Sequence, residues 1–213
     1  MKKILTYLIL PAAAIALAYL IFMSITKPVN FNKEQAAREK VGIQVLKDIR
    51  TLQVTYKSTY NHYAPSMDSL IDFYNNGKIT IVKQIGSMDD SAAVAMKLVR
   101  RETSQMAVKD TLFNDRPDFN VEELRYIPFT NHEDTVIMST VIKTVSGVEV
   151  PLFEAKIPYG VRPAPGQPFR GLLQGMDEQL IINLNAERED TFRYPGLMVG
   201  SVDNANNNAG NWE

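Results

Sequence analysis

The residues that could carry chemistry in this chain are few, and their spacing favours no reaction centre. There are no cysteines and only two histidines, His62 and His132, which lie 70 positions apart in loop-like stretches. Glu133 and Asp134 follow His132 directly, but adjacent residues in a loop rarely converge on one metal ion. The sequence also contains no G-x-x-x-x-G-K-[ST] or G-x-G-x-x-G phosphate loop and no G-x-S-x-G nucleophile motif. We therefore expect no enzyme, no cofactor and no metal site.

The acidic pair Asp89 and Asp90 is the nearest approach to a catalytic couple. Acidic side chains commonly begin helices, because the N-terminal end of a helix carries partial positive charge. We therefore expect this pair to begin a charged, solvated helix that includes Arg100 and Lys109, with Met106 turned inward. A membrane-anchored hydrolase with a carboxylate pair assembled by the fold stays open as an alternative.

The architecture of the chain depends on one apolar stretch at the N-terminus. Residues 4–25 contain no Asp, Glu, His, Lys or Arg, and Lys2 and Lys3 precede them. About 22 helical residues at 1.5 Å each span the roughly 30 Å hydrocarbon core of a bilayer. The sequence therefore predicts an N-terminal transmembrane anchor over residues 1–28, ended by Lys27 and Pro28.

A cleaved signal peptide is the competing interpretation of this stretch. Ala16 and Ala18 have the small-x-small form of a processing site, but the apolar run continues for seven residues beyond Ala18. This continuation favours an uncleaved anchor. Lys2, Lys3 and the amino terminus resist translocation. A count of positive charge alone slightly favours the opposite topology, because four basic residues follow the span, but large domains are exported largely regardless of such charge. The four are Lys27, Lys33, Arg38 and Lys40. We therefore predict a single-pass inner-membrane protein with its N-terminus in the cytoplasm and its main domain in the periplasm.

Small residues recur at four-residue spacing within the anchor, where they would let a second helix approach closely. They are Ala12, Ala14, Ala16 and Ala18. An equally good explanation is that alanine is simply an apolar residue suited to an anchor. A helix that carries protons or ions needs an ionisable group at depth, so this one can serve only as a strut or packing partner.

The rest of the chain has the composition of a folded domain. The chain is 45% hydrophobic and 22% charged, with a net charge of -1. Such a balance argues against nucleic acid as a partner. We expect an α+β domain over residues 29–202, in which a long amphipathic helix packs on an antiparallel sheet. An Asn-rich tail, residues 203–213, is polar enough to be disordered.

The long helix is predicted from an apolar stripe that begins after a cap at Asn32. Its members recur at spacings of three and four, so they share one helix face that must be buried. They are Val41, Val45, Ile49, Leu52, Tyr56, Tyr60 and Tyr63.

Shorter elements follow. Ser66 caps a helix that ends at Gly77, and strands are expected over 79–82, 134–145, 148–157, 179–185 and 197–199. Ser146 and Gly147 would form a two-residue hairpin loop, although a slightly longer loop with a bulge fits equally well, and Pro151 should lie on an edge or at a bulge. Residues 159–169 carry three prolines and predict an extended loop. Trp212, the only tryptophan, suggests docking into a groove on its own chain or on a neighbour, which leaves a homo-oligomer open.

Two resemblances extend this interpretation. The layout, with KDIRTLQ at 47–53 and YNHYAP at 60–65, resembles type IV pilins and secretion pseudopilins, which implies a pilin-like fold. The chain lacks their glycine-phenylalanine processing junction and the acidic residue of their membrane helix. Separately, KPVNFNKEQAAREK at 27–40, GSMDDS at 86–91 and the segment 192–213 resemble a family of envelope proteins from Bacteroidetes-type bacteria. That resemblance implies an accessory subunit beside the ExbB and ExbD motor subunits that energise TonB, and it assigns no functional residues.

Overall fold

The computed structural model describes residues 10–85, 100–145 and 147–213, and it has an α+β fold. The helices are α1 (Leu10–Tyr60), α2 (Met67–Asn76) and α3 (Glu178–Asp190), with 3₁₀ turns at Val108–Asp110 and Val121–Arg125. The strands are β1 (Lys78–Ile85), β2 (Arg100–Ala107), β3 (Ile137–Val145), β4 (Val148–Pro158) and β5 (Gly196–Gly200). Strands β1 and β2 form one antiparallel pair, and β3, β4 and β5 form an antiparallel sheet in that order.

Helix α1 dominates the fold and runs for 51 residues without a break. The predicted stop at Pro28 and the predicted cap at Asn32 are therefore wrong, since both residues lie inside the helix. A proline removes one N–H donor, but its fixed φ is close to the helical value. The helix continues through this position, and Phe31, three residues beyond Pro28, is already buried in the body.

The three-stranded sheet agrees with the sequence pattern in its hairpin and its last strand. Val145 pairs with Val148, so β3 and β4 are joined by a two-residue loop, in which Gly147 has a φ of 81°. Strand β4 is central, so the edge predicted at Pro151 is wrong for the strand as a whole. Its pairing with β5 covers only Glu154–Pro158, however, and Pro151 lies outside that stretch.

Strand β2 replaces part of the predicted charged helix. All eight residues of β2 pair with β1, from Ile85 opposite Arg100 to Lys78 opposite Ala107, and Met106 is 41% exposed. Pairing with a distant strand overrides a local charge pattern, which is why the helix prediction failed. The acidic pair at 89–90 lies outside the described residues.

Helix α3 replaces the strand predicted over 179–185. Asp177 caps it, since its Oδ1 accepts the backbone N–H groups of Gln179 at 3.0 Å and Leu180 at 3.2 Å. Alternation of apolar residues suggested a strand, but Ile181 is the fully buried residue and Ile182 is exposed. Helix α2 forms as expected, with the Ser66 hydroxyl accepting the Ser69 N–H at 3.2 Å.

The core lies between α1 and the three-stranded sheet. Helix α1 and strand β4 run past each other in opposite directions. Glu39 meets Tyr159 just after the end of β4, and the Tyr63 ring packs on Phe153 with centroids 4.8 Å apart. The end of the body formed by the β3–β4 loop is therefore farthest from the N-terminal end of α1.

Candidate membrane anchor and its contacts with the body

The N-terminal part of α1 projects from the body and is covered by no other part of the described chain. Among the described residues it is one helix that is long and apolar enough to cross a membrane. Large apolar side chains along it are 58–71% exposed; they are Ile15, Leu17, Tyr19, Leu20, Ile21, Phe22, Ile25 and Val29. An apolar surface of this extent needs a partner or a lipid environment.

The four alanines predicted to pack in the membrane all lie on this exposed segment. Residues four apart share a helix face, whereas residues two apart are about 200° apart around the axis. Ala12 and Ala16 therefore lie on one face, and Ala14 and Ala18 lie on the opposite one. The two pairs cannot serve the same neighbouring helix.

The body covers only part of the predicted apolar stripe. Ile49 and Leu52 are fully buried, whereas Val41 is 44% exposed and Tyr60 is 47% exposed, so the prediction of a wholly buried stripe is wrong at those two positions. Val45 and Tyr56 are half-buried, and Tyr63 is buried but lies beyond the end of α1. The buried residues of α1 also include some that the predicted stripe omits; they are Phe31, Gly42, Leu46, Asp48 and Gln53.

A buried phenol joins α1 to both β4 and α3. Tyr159 is fully buried, and its hydroxyl donates to Glu39 on α1 and accepts a hydrogen bond from Arg188 Nη2 on α3 at 2.7 Å. Burial, and then the hydrogen bond to Glu39 and the charge of that carboxylate, raise the pKa of Tyr159 well above its ordinary value. The phenol therefore stays protonated and keeps donating to the carboxylate.

Two further polar residues of α1 bind main-chain groups of the body. Arg38 Nη1 donates to the Gln174 carbonyl at 2.9 Å and to the Leu172 carbonyl at 3.3 Å. Gln53 is fully buried, donates to the Ala64 carbonyl at 3.1 Å and accepts the Ala64 N–H at 2.8 Å. Such contacts fix the helix in rotation and in axial position, since side chain and backbone must match.

A buried ion pair joins α1 to the segment that follows β2. Asp48 is buried on α1 and receives two hydrogen bonds from Arg116, whose guanidinium lies 4.7 Å from the Phe113 ring centroid and 4.9 Å from that of Phe119. A cleft of about 490 Å³ lies beside this pair. Arg116 therefore neutralises the buried Asp48 carboxylate. A catalytic carboxylate would instead have to remain free to contact a substrate.

The C-terminal tail packs against the body, so the expectation of disorder over 203–213 is wrong. Gly210 bridges to Val199 of β5, and Asn211 accepts the Met198 N–H at 3.1 Å and donates to the Gly196 carbonyl at 2.9 Å. Trp212 is half-buried on the core of its own chain. The Asn211 side chain makes hydrogen bonds of the kind that a neighbouring strand would make. Amino-acid composition does not show such contacts, so the Asn-rich composition of the tail predicted disorder.

The histidines make ordinary polar contacts. His132 Nε2 lies 2.8 Å from a Glu123 carboxylate oxygen, and His62 Nδ1 lies 3.0 Å from the Tyr63 carbonyl. In the parts of the chain that the structure describes, no group of three or more His, Asp or Glu side chains could hold a metal ion.

Comparisons of the chain with protein-family models, with curated proteins and with solved structures found no match. The geometry therefore has to indicate function by itself. Its most specific feature is an exposed apolar helix end that continues, unbroken, into a helix held by polar contacts at Arg38, Glu39, Asp48 and Gln53.

Proposed function

We propose that this chain is a non-catalytic, single-pass accessory subunit of an inner-membrane envelope complex, a companion of the ExbB and ExbD proton-motor subunits that energise TonB. One observation carries the proposal: the exposed apolar end of α1 has no charged residue and continues without a linker into the body. A helix of this kind positions a domain relative to a membrane partner. It offers no ionisable group at depth through which protons could pass.

The proposed topology places the N-terminus in the cytoplasm and the body in the periplasm. Lys2 and Lys3 support this orientation, because positive charge next to a membrane span resists translocation. Lys27 and Lys33 follow the span, but a large domain is exported largely regardless of nearby charge. The body then stands on the outer face of the inner membrane.

Purification of the tagged full chain from native membranes in mild detergent tests the proposal. We expect ExbB-type and ExbD-type subunits to co-purify, and we expect the chain to resist carbonate extraction. The Val29→Asp variant replaces an exposed apolar residue at the exit of the span and should stay anchored. It serves as a control for proteins that co-purify only because they bind exposed apolar side chains non-specifically. Recovery of a soluble mature chain that begins at Tyr19 would overturn the proposal, as would anchored protein that purifies alone.

A pseudopilin-like subunit of a secretion or pilus system is the second candidate. The observation in its favour is the continuity of α1 through Pro28 together with an antiparallel sheet packed along the helix. The same purification discriminates the two, because this candidate predicts filament subunits, rather than motor subunits, among the co-purifying proteins.

A further inference from the structure

The three-stranded sheet has one covered edge and one open edge. The outer side of β5 is covered by the tail, where the Ala209 carbonyl accepts the Gly200 N–H at 3.0 Å. The outer side of β3 is covered only before the strand begins, where the segment 125–127 pairs with 134–136. Within the described ranges, no backbone group pairs with that side of β3 itself.

Alternate residues of β3 direct their N–H and C=O groups towards this open side. Val145 and Val148 close a two-residue hairpin loop, so Val145 and the odd-numbered residues before it form their hydrogen bonds with β4. The segment before β3 agrees, because the Val136 N–H donates to the Arg125 carbonyl on the other side at 2.9 Å. The groups that point outwards therefore belong to the even-numbered residues; they are Met138, Thr140, Ile142 and Thr144.

The edge of β3 lacks the features that usually prevent strand pairing. Exposed edges in natural proteins are commonly short, bulged, interrupted by proline or lined with lysine. Strand β3 pairs with β4 over nine consecutive residues without a bulge, and it contains no proline. Its one ionisable residue, Lys143, donates from Nζ to the Asp203 carbonyl at 3.0 Å. An edge of this kind can accept a further strand.

A pocket of about 260 Å³ lies beside this edge, on the face of the sheet that Tyr63 covers. Its walls are mostly apolar and include Pro65, Thr140, Ile142 and Pro151. Ile142 is 57% exposed, so apolar surface next to the pocket is uncovered in the described chain. In an antiparallel pair, opposite side chains lie on the same face about 5 Å apart. A side chain opposite Thr140 or Ile142 on an added strand would therefore reach the pocket.

A symmetric dimer cannot fill this edge if both copies are anchored in one membrane. Strand β3 runs in the direction of α1, because β4 runs opposite to both. A symmetric dimer would pair the two β3 edges antiparallel, about a twofold axis perpendicular to the sheet. That axis reverses the second α1 and points its apolar segment away from the bilayer. The strand that fills the edge therefore belongs to a different polypeptide.

We infer that the edge of β3 binds an extended segment of another envelope protein, which joins the sheet as an antiparallel strand and places an apolar side chain in the pocket beside Ile142. The unpaired N–H and C=O groups recognise an extended backbone, and the pocket selects the side chain. The bound strand runs towards the membrane, because β3 runs away from it. The inference rests on the proposed function as a membrane-anchored subunit, and it names the surface through which that subunit contacts a partner.

Hydrogen exchange of single amides, measured by NMR on the full chain in detergent micelles, tests whether the edge is open. The amides of Val141 and Lys143 donate to β4 and should exchange slowly. Those of Thr140 and Ile142 point outwards and should exchange at least about tenfold faster. Equal protection of the two sets would mean that the chain itself or a second copy covers the edge, and it would overturn the inference.

Binding of a synthetic peptide to the full chain tests strand addition itself. The fluorescent probe alternates leucine with threonine over about nine residues, the length of β3, with a lysine at each end for solubility. On the added strand, residues whose side chains face the pocket also direct their N–H groups towards β3. N-methylation of the leucines should therefore weaken binding at least about tenfold, whereas N-methylation of the threonines should leave it nearly unchanged. Equal effects of the two methylations would overturn the inference, as would an unmodified peptide that shows no saturable binding.

Two variants locate the peptide on β3. Thr140→Pro removes a donor that points outwards, so it should keep the pairing with β4 and lose the peptide. Thr140→Ala keeps that donor and is the matched control, which should bind the peptide as the unmodified chain does. Thr144→Pro, nearer the end of the strand, repeats the test if Thr140→Pro fails to fold. Proline variants that fold and still bind the peptide overturn the placement on this edge.

The proposed function is tested separately. Anchored chain that purifies without motor subunits contradicts the proposed function, whatever the peptide does. Chain that co-purifies with motor subunits but binds no peptide contradicts only the strand site.

Discussion

Arg116 donates a hydrogen bond from each terminal nitrogen to the Asp48 carboxylate, at 2.9 Å to Oδ2 and 2.8 Å to Oδ1. The two residues are 68 positions apart, and Asp48 is 5% exposed. Gln44 donates to the same carboxylate at 2.9 Å. The pair therefore attaches the segment after β2 to the middle of α1 and removes the cost of burying a charge on that helix.

Substitution of Arg116 by alanine should lower the free energy of unfolding by about 2–3 kcal/mol, because it leaves the Asp48 carboxylate buried with only a neutral partner. Urea unfolding of the full chain in detergent micelles, followed by circular dichroism, measures this change. Arg125→Ala is the matched control, since its partner Asp68 has a side chain that is 75% exposed. The control should cost less than about 1 kcal/mol. Equal losses in the two variants would contradict a special role for the buried pair.

Alkaline pH should destabilise the fold through two tyrosines. Burial raises the pKa of Tyr159, and burial followed by the charge of Glu154 raises the pKa of Tyr194 to about 12. In the unfolded chain both phenols ionise near their ordinary pKa of 10.0. A raised pKa in the folded state contributes stability that is fully present below pH 10 and is lost as pH rises through the folded value.

The measurement is the free energy of unfolding of the full chain from about pH 9 to pH 12. We expect it to fall above pH 10 and expect Tyr159→Phe to reduce that slope. Tyr194→Phe should reduce the slope as well, because burial also raises the pKa of Tyr194. An identical pH dependence in the chain and in Tyr159→Phe would refute the assignment.

The tail offers an optical test, because Trp212 is the only tryptophan. Asn211→Ala removes two hydrogen bonds to β5, each worth roughly 0.5–1.5 kcal/mol, so the end of the tail should pack less tightly on that strand. The fluorescence emission of Trp212 should then shift towards that of an exposed indole. Asn204→Ala changes an exposed asparagine of the same tail and should leave the emission where it is. A shift of equal size in both variants would mean that Asn211 does not anchor the tail.

Local signals predicted much of the fold. The Ser66 cap and Gly77 define α2 within one short segment, and the Val145–Val148 pair follows from a two-residue loop. The apolar anchor is likewise visible in sequence, because membrane crossing depends on the composition of about 20 consecutive residues. Each of these features is decided by residues close together in the chain.

Features that depend on residues far apart in the sequence were not predicted from it. Glu39 and Tyr159 are 120 positions apart, and a buried polar pair leaves no periodic pattern in either segment. Gly42 was omitted from the helix face because it has no side chain, yet an added Cβ there would lie 2.7 Å from Leu197 Cδ1, so its size sets the approach of α1 to β5. Such contacts depend on tertiary packing, which single-sequence patterns do not contain.

The continuity of α1 through Pro28 is the feature on which the mechanical role of the anchor depends. The chain has no cysteine, so Ser24→Cys and Lys40→Cys allow two spin labels to be placed across the proline without background. A continuous helix of 16 residues predicts a backbone separation of about 24 Å, and the rigid contacts above it predict a narrow distribution. Double electron-electron resonance of the labelled full chain in lipid nanodiscs measures both.

Two changes at the same place make this test decisive. Pro28→Ala restores one backbone donor and should leave the distance nearly unchanged, because the helix already continues through that position. Two glycines inserted after Pro28 should broaden the distribution, since glycine has the greatest backbone freedom. If the unmodified chain gives the broad distribution of the insertion, the helix ends near Pro28 and the anchor cannot hold the body at a fixed height and rotation. A narrow distribution near the helical value means that any tilt imposed on the anchor by a membrane partner reaches the body, since no flexible segment lies between them.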